Sequence, residues 1–176
     1  FTCGSDAGFT SFIERYKSAN LIGIDFDIEA GQSLADIDNL VQRVKVAQVK
    51  YPNLRFSFTL ATLAAVNGQD LGAAGVNVMN AIKKAGLSNY LINLMVMDYG
   101  TASSNICVLG SDGKCDMGLS ANQAAINLHN YWNVPYKQIE LTPMIGGNDA
   151  DDEIFNIANV TTVANFVKAK GLTGLH

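Results

Sequence analysis

The chain reads as an α/β protein with a parallel sheet, and three observations lead there. Amphipathic helical stretches and short apolar strands alternate one for one along its 176 residues. Apolar residues make up 48 % and charged residues only 16 %, which suits a well-buried core and excludes a disordered chain. The polar clusters fall after the strands, at the ends where parallel sheets carry their chemistry.

The first element is a helix from Asp6 to Asn20, because Phe9, Phe12, Ile13 and Tyr16 repeat with the spacing of one buried face. A strand follows over Leu21 to Glu29, where apolar and acidic residues alternate with period two. Ser33 is an N-cap and Asp36 adds favourable first-turn charge to a second helix. Its stripe is Leu34, Ile37, Leu40, Val41 and Val44, and it ends near Tyr51-Pro52. Leu54 to Ala61 alternates again and reads as a strand. Gly72 to Ala85 reads as a small-residue helix closed by Gly86.

Tyr90 to Tyr99 is a nearly continuous apolar run, the pattern of a strand covered on both faces. A polar loop then carries two cysteines. Ser120 and Gln123 form a capping box for a helix from Ala121 to Trp132, where Trp132 is read as a packing residue. Gln138 to Ile145 is a strand leading into the acidic loop 146–152. Val160 to Lys170 is a helix ended by Gly171, and residues 172–176 begin one more strand. This order implies a parallel sheet with helices outside it. An open doubly wound sheet and a closed barrel both satisfy it. No G-x-G-x-x-G or P-loop motif points to a nucleotide.

The acidic strand stands out. Ile22, Ile24, Phe26 and Ile28 face one way, and Gly23, Asp25, Asp27 and Glu29 the other. Side chains two apart on a strand have bases roughly 6.5–7 Å apart, so three carboxylates repel one another and one proton is expected to be held to higher pH. Proton-transfer chemistry uses such a group. Three other readings stand beside it: a metal site, a solvated edge strand, or buried acids paired with bases. No His is near for a metal, and none of the 12 basic residues lies in the segment.

Charge and cysteines narrow the setting. A net charge of −4 argues against nucleic acid as the main partner, and no apolar run is long enough to span a bilayer. Phe1 does not open a signal peptide, although a mature secreted chain would look the same. Cys107 and Cys115 bracket a turn-rich stretch. A disulfide is favoured there over a metal pair, because the spacing is not C-x₂₋₄-C, and it implies an oxidising compartment. Cys3 is then buried and free, or paired outside this chain. Asn159-Val160-Thr161 is a glycosylation sequon.

Gly23-Ile24-Asp25-Phe26-Asp27-Ile28-Glu29 resembles the catalytic strand of the family-18 glycoside hydrolases, the chitinases. Their pattern is D-x-x-D-x-D-x-E on the fourth strand of a (β/α)₈ TIM barrel. Asn93 to Gly100, with Met97-Asp98-Tyr99-Gly100, is similar to the sixth-strand motif, usually M-x-Y-D. Gly171 to His176 is similar to the start of the eighth strand. The resemblance covers the whole chain. It implies an incomplete barrel of about five β/α units, the fourth to the eighth, with residues 1–176 forming one partial catalytic domain. A whole barrel takes about 250 residues, so the chain is expected to be a fragment without the first three strands and the family's eighth-strand Trp.

The resemblance also implies a function: retaining, substrate-assisted hydrolysis of β-1,4-N-acetylglucosamine linkages in chitin or chitooligosaccharides. Glu29 is then the general acid, Asp27 orients the acetamido group, and Asp25 shares a proton with Asp27. Asp98 contacts the sugar and acetamido region. Ile22 replaces the first Asp of the pattern. Met97 stands where the family has a Tyr, and Tyr99, two residues on, is expected to substitute from the same strand face. Asn148 and Asp149 are candidate contacts to sugar hydroxyls. The alternatives are a non-catalytic carbohydrate-binding protein on the same fold and an endo-β-N-acetylglucosaminidase. No cofactor or metal is expected. The setting implied is a secreted monomer acting on chitin, with no nucleic-acid or membrane partner.

Overall fold

A computed structural model describes residues 4–66 and 68–176. Cys3, and with it the question of its partner, lies outside the described residues. The elements run α1 (Asp6–Tyr16), β1 (Gly23–Ile28), α2 (Leu34–Lys50), β2 (Arg55–Ala61), α3 (Ala73–Ala85) and β3 (Leu91–Met95). They continue α4 (Met117–Trp132), β4 (Ile139–Thr142), β5 (Gly146–Gly147), β6 (Ile154–Phe155), α5 (Ile157–Lys170) and β7 (Gly174–Leu175). Strands β1, β2, β3, β4 and β7 form one sheet in that order, every pair parallel. Each crossover carries a helix, as parallel neighbours require. This is the incomplete TIM-barrel architecture that the alternation and the resemblance imply.

Strand parity divides the sheet. Phe56, Phe58, Leu60, Ile92, Leu94, Ile139 and Leu141 are buried against the helices, meeting Ile37, Leu40, Val41 and Val44 of α2 and Val78, Met79 and Ile82 of α3 in one core. Each such side chain contributes about 1.5–3 kcal/mol when fully buried. Phe9 of α1 closes the β1 end, its ring 6.0 Å from Phe26 and 6.2 Å from Phe56. The alternate residues face away from the helices: Asp25 and Asp27, then Arg55, Ser57 and Thr59, then Asn93, then Glu140 and Thr142.

Local signals explain most boundaries. Ser33 Oγ accepts the Asp36 amide at 3.1 Å while the Asp36 carboxylate accepts the Ser33 amide at 3.2 Å, a complete capping box. Gly86 closes α3 in the left-handed region at φ 63°. Cys107 and Cys115 are joined by a disulfide that pins the loop leading into α4.

Three expectations are corrected. Helix α4 starts at Met117, not Ala121, and its N-cap is Asp116, whose carboxylate accepts the Leu119 amide at 2.9 Å. Ser120 is buried within the helix, and its hydroxyl accepts the Val108 amide at 3.1 Å. Gly118 makes the earlier start possible, because a Cβ there would lie 3.1 Å from Asn159 Cα on α5. Strand β3 stops at Met95, so the apolar run to Tyr99 is only half strand. The acidic loop holds a small hairpin, β5 paired antiparallel with β6. Asn159 of the sequon sits in the α5 capping box with Asn156, and its Nδ2 donates to Asp116 at 3.4 Å.

Candidate active site

β1 places its acids on the face turned away from the helices, at the C-terminal end of the sheet. Asp25, Asp27 and Glu29 are all solvent-exposed. Asp25 is the anchored one: Ser57 Oγ donates to its Oδ1 at 2.5 Å and Thr59 Oγ1 to its Oδ2 at 2.7 Å. The side chains of Asp27 and Glu29 make no hydrogen bond among the described residues. A cleft of about 640 Å³ runs along β1, lined by Asp25, Asp27, Ala30, Gln32 and Asp36 with the apolar walls Phe12, Phe26 and Leu40. The carboxylates and the apolar residues come from opposite faces of β1, so the cleft follows the unpaired edge of the sheet.

Beneath Asp25 the same face stays polar. Glu140 is buried and forms an ion pair with Arg55, and His176 Nε2 lies 3.6 Å from the same carboxylate. Asn93 donates through Nδ2 to Thr59 Oγ1 at 3.0 Å and accepts from Thr142 Oγ1 at 2.9 Å.

The segment after β3 carries Met97, Asp98 and Tyr99. Asp98 is exposed with φ 50°, a left-handed conformation that Asp tolerates better than most residues. Its backbone amide donates to Asn148 Oδ1 at 3.3 Å, and its Oδ1 accepts the Ala150 amide at 3.0 Å. Glu153, next to β6, holds the following residues. Its buried carboxylate accepts the Tyr99 amide at 3.1 Å and the Gly100 amide at 2.8 Å. Burial pushes the Glu153 carboxyl above its ordinary range, and the Asp98 charge adds to this. The two amides pull the other way.

Two expected contacts take other roles. Tyr99 does not share a strand face with Met97, because β3 has ended and the turn at Asp98 reverses the parity. It is buried in the core, with no hydrogen-bond partner for its hydroxyl among the described residues. Burial pushes its hydroxyl pKa well above the ordinary tyrosine range, and the charges of Glu153 and Asp70 add to the effect, so the phenol stays protonated. The half-buried Asn148 is spent on the loop, donating through Nδ2 to the Met144 carbonyl at 2.9 Å. Met97 is half-buried and Asp149 exposed. Trp132 packs against the core, as expected.

Sequence reasoning missed Ser57, Thr59, Asn93, Thr142 and Glu153. Parity could have found the first four, since all lie in register on the face that carries Asp25. No group of three or more His, Cys, Asp or Glu side chains could hold a metal among the described residues, and none of their helices is long and apolar enough to cross a membrane.

A parallel (β/α) sheet with carboxylates on its first strand, aimed away from the helices at the sheet's C-terminal end, is the arrangement of an incomplete (β/α) barrel. The chain's relatives are more particular, for they are chitinases. The chain is 30 % identical over 174 residues to the probable bifunctional chitinase/lysozyme of Escherichia coli (strain K12), covering 92 % of this chain and 19 % of that protein. It is 29 % identical over 175 residues to endochitinase 11 of Metarhizium anisopliae, covering 92 % of this chain and 33 % of that protein. Among solved structures it resembles active domain 2 of the thermostable chitinase of Pyrococcus furiosus, determined with chito-oligosaccharides. That TM-score is 0.72 at 26 % identity, over 97 % of this chain and 52 % of that one. The Legionella pneumophila ChiA C-terminal domain shares the fold with a TM-score of 0.51 at 18 % identity, over 82 % of this chain and 50 % of that one. The chain thus spans about a fifth to a third of the curated relatives and half of the solved chains. No protein-family model matches it.

Proposed function

We propose that the protein hydrolyses β-1,4 linkages between N-acetylglucosamine units of chitin or chitooligosaccharides, with retention and with the substrate's own acetamido carbonyl as nucleophile. The observation that carries this reading is the division among the three acids: Asp25 is anchored by two hydroxyl donors, while Asp27 and Glu29 stay open to solvent. Glu29, outermost, donates its proton to the glycosidic oxygen as the bond to the anomeric carbon breaks. The acetamido carbonyl oxygen closes on that carbon to form an oxazolinium-type ring, so no carboxylate need act as nucleophile. Asp27 accepts the acetamido N–H and balances the positive charge that develops there. Asp25 shares a proton with Asp27. Glu29, deprotonated, then takes a proton from the water that opens the ring.

Asp98 contacts the sugar and acetamido region from the facing loop, with Met97 beside it. The hydrogen-bonded turn after β3 holds it in place before binding, which lowers the entropic cost of ordering it. The names of the relatives support a catalytic domain, and the disulfide supports one that works outside the cell; we read it as a monomer. We read residues 1–176 as one part of that domain. The test is hydrolysis of chitooligosaccharides by the full protein and by its Glu29→Gln variant, with N-glycan substrates assayed beside them. Cleavage of the N-glycan alone would move the reading to an endo-β-N-acetylglucosaminidase.

A further inference from the structure

A polar chain, buried in its middle at Thr59 and Asn93, crosses the sheet and ends on the exposed Asp25. Thr142 on β4 donates to Asn93 Oδ1 at 2.9 Å. Asn93 on β3 donates through Nδ2 to Thr59 Oγ1 at 3.0 Å. Thr59 on β2 donates its only hydroxyl proton to Asp25 Oδ2 on β1 at 2.7 Å. Every bond therefore points its donor toward the carboxylate. Thr59 and Asn93 are buried at 8 % and 9 % exposure, where hydrogen bonds in series polarise and strengthen one another.

The arrangement is costly for folding alone. Asn93 interrupts an otherwise apolar strand, Leu-Ile-Asn-Leu-Met, and a buried amide must be fully paired to be tolerated. Its pairing is arranged so that its carbonyl is used on the β4 side and its amide on the β2 side. The Asn93 amide occupies the oxygen of Thr59, which leaves the Thr59 proton for Asp25. Ser57 holds the other Asp25 oxygen at 2.5 Å.

We propose that Thr59, Asn93 and Thr142 are positioning residues that hold the Asp25 carboxylate in one orientation, so that its remaining lone pairs face Asp27. They touch no substrate and act through Asp25. The inference rests on the chitinase reading of β1. It also separates two functions on one strand. Asp25 is fixed from behind, and Asp27, opposite Thr59 in the register but without a hydrogen bond to it, keeps the freedom to turn toward Glu29 and the acetamido group.

The test uses the full protein and a soluble chitooligosaccharide. Thr59→Val keeps the shape and removes the donor. The expected result is a kcat lower by about tenfold, the scale of one hydrogen bond to a charged group, with KM unchanged. Thr59→Ser restores kcat. Thr142→Val, two bonds further away, lowers kcat less and also spares KM, and it tests the chain if Thr59→Val folds poorly. Parental kcat in both valine variants overturns the inference. So does a loss that thermal melting accounts for by unfolding and that Ser fails to restore. Glu29→Gln, assayed in parallel, keeps the two claims apart. Parental turnover in that variant overturns the chitinase reading, whereas loss there with intact Thr59 and Thr142 valine variants overturns only the positioning role. A parent that does not hydrolyse the oligosaccharide overturns both.

Discussion

The Thr59 hydroxyl donates to Asp25 at 2.7 Å although the register sets Thr59 opposite Asp27. The Asp25 side chain therefore leans along the strand toward its C-terminal end and takes the donor that Asp27 would otherwise meet. The first two acids of the strand are thereby unlike: both line the cleft, but Asp25 is held by two hydroxyl donors and Asp27 by none. Two side chains with the same sequence parity acquire different roles because β2 supplies Ser57 and Thr59 at successive positions on one face.

Asp98 combines a conformational and a binding role, and two substitutions separate them. Asp98→Ala places an ordinary residue at φ 50° and removes the acceptor for the Ala150 amide. It is predicted to lower stability by about 1–2 kcal/mol and to weaken substrate binding. Asp98→Asn tolerates the same backbone and keeps an acceptor oxygen, so its melting temperature should stay near the parent's while KM rises. Thermal melting and steady-state kinetics on both variants check this.

Glu153 links the segment after β3 to the β5–β6 hairpin, and its burial sets a sign for pH. Its folded-state pKa is raised above the ordinary 4.5, with burial as the largest cause. Between that ordinary value and the raised one the folded protein binds more protons than the unfolded chain. Stability from this group is therefore greatest below the ordinary value and falls as pH rises through the raised one. The difference in melting temperature between parent and Glu153→Gln is predicted to move in the parent's favour as pH drops from neutral toward that range. A difference that stays flat with pH would contradict the account.

The Cys107–Cys115 bridge closes a loop across a sequence separation of 8. Chain entropy assigns such a loop about 2–3 kcal/mol. Replacing both cysteines with Ala should lower the melting temperature by several degrees and leave KM near the parent's, because no residue of the loop lines the cleft along β1. Adding a reductant to the parent should reproduce the shift, and scanning calorimetry measures both.

The layout of the sheet was legible in the sequence because period-two and helical patterns report burial directly. The acids were legible because carboxylates at fixed parity on an apolar strand have few structural uses. Tyr90 to Tyr99 misled because an apolar run does not say where hydrogen bonding to the neighbours stops. Here the stop is set by the turn at Asp98, which Asn148 and Ala150 hold from fifty residues away. The capping box at Ser120 misled for a similar reason: Asp116 and the close packing of Gly118 on α5 favour an earlier start. Thr59, Asn93 and Thr142 escaped because each looks ordinary in its own strand, and only the register brings them into line behind Asp25.

The central claim is that Glu29 protonates the leaving oxygen, and Glu29→Gln tests it most directly. The measurement is turnover of a chitooligosaccharide by the full protein, with binding of the same oligosaccharide followed by calorimetry. The account predicts a loss of turnover of at least about 100-fold with binding retained. Turnover unchanged from the parent would contradict it.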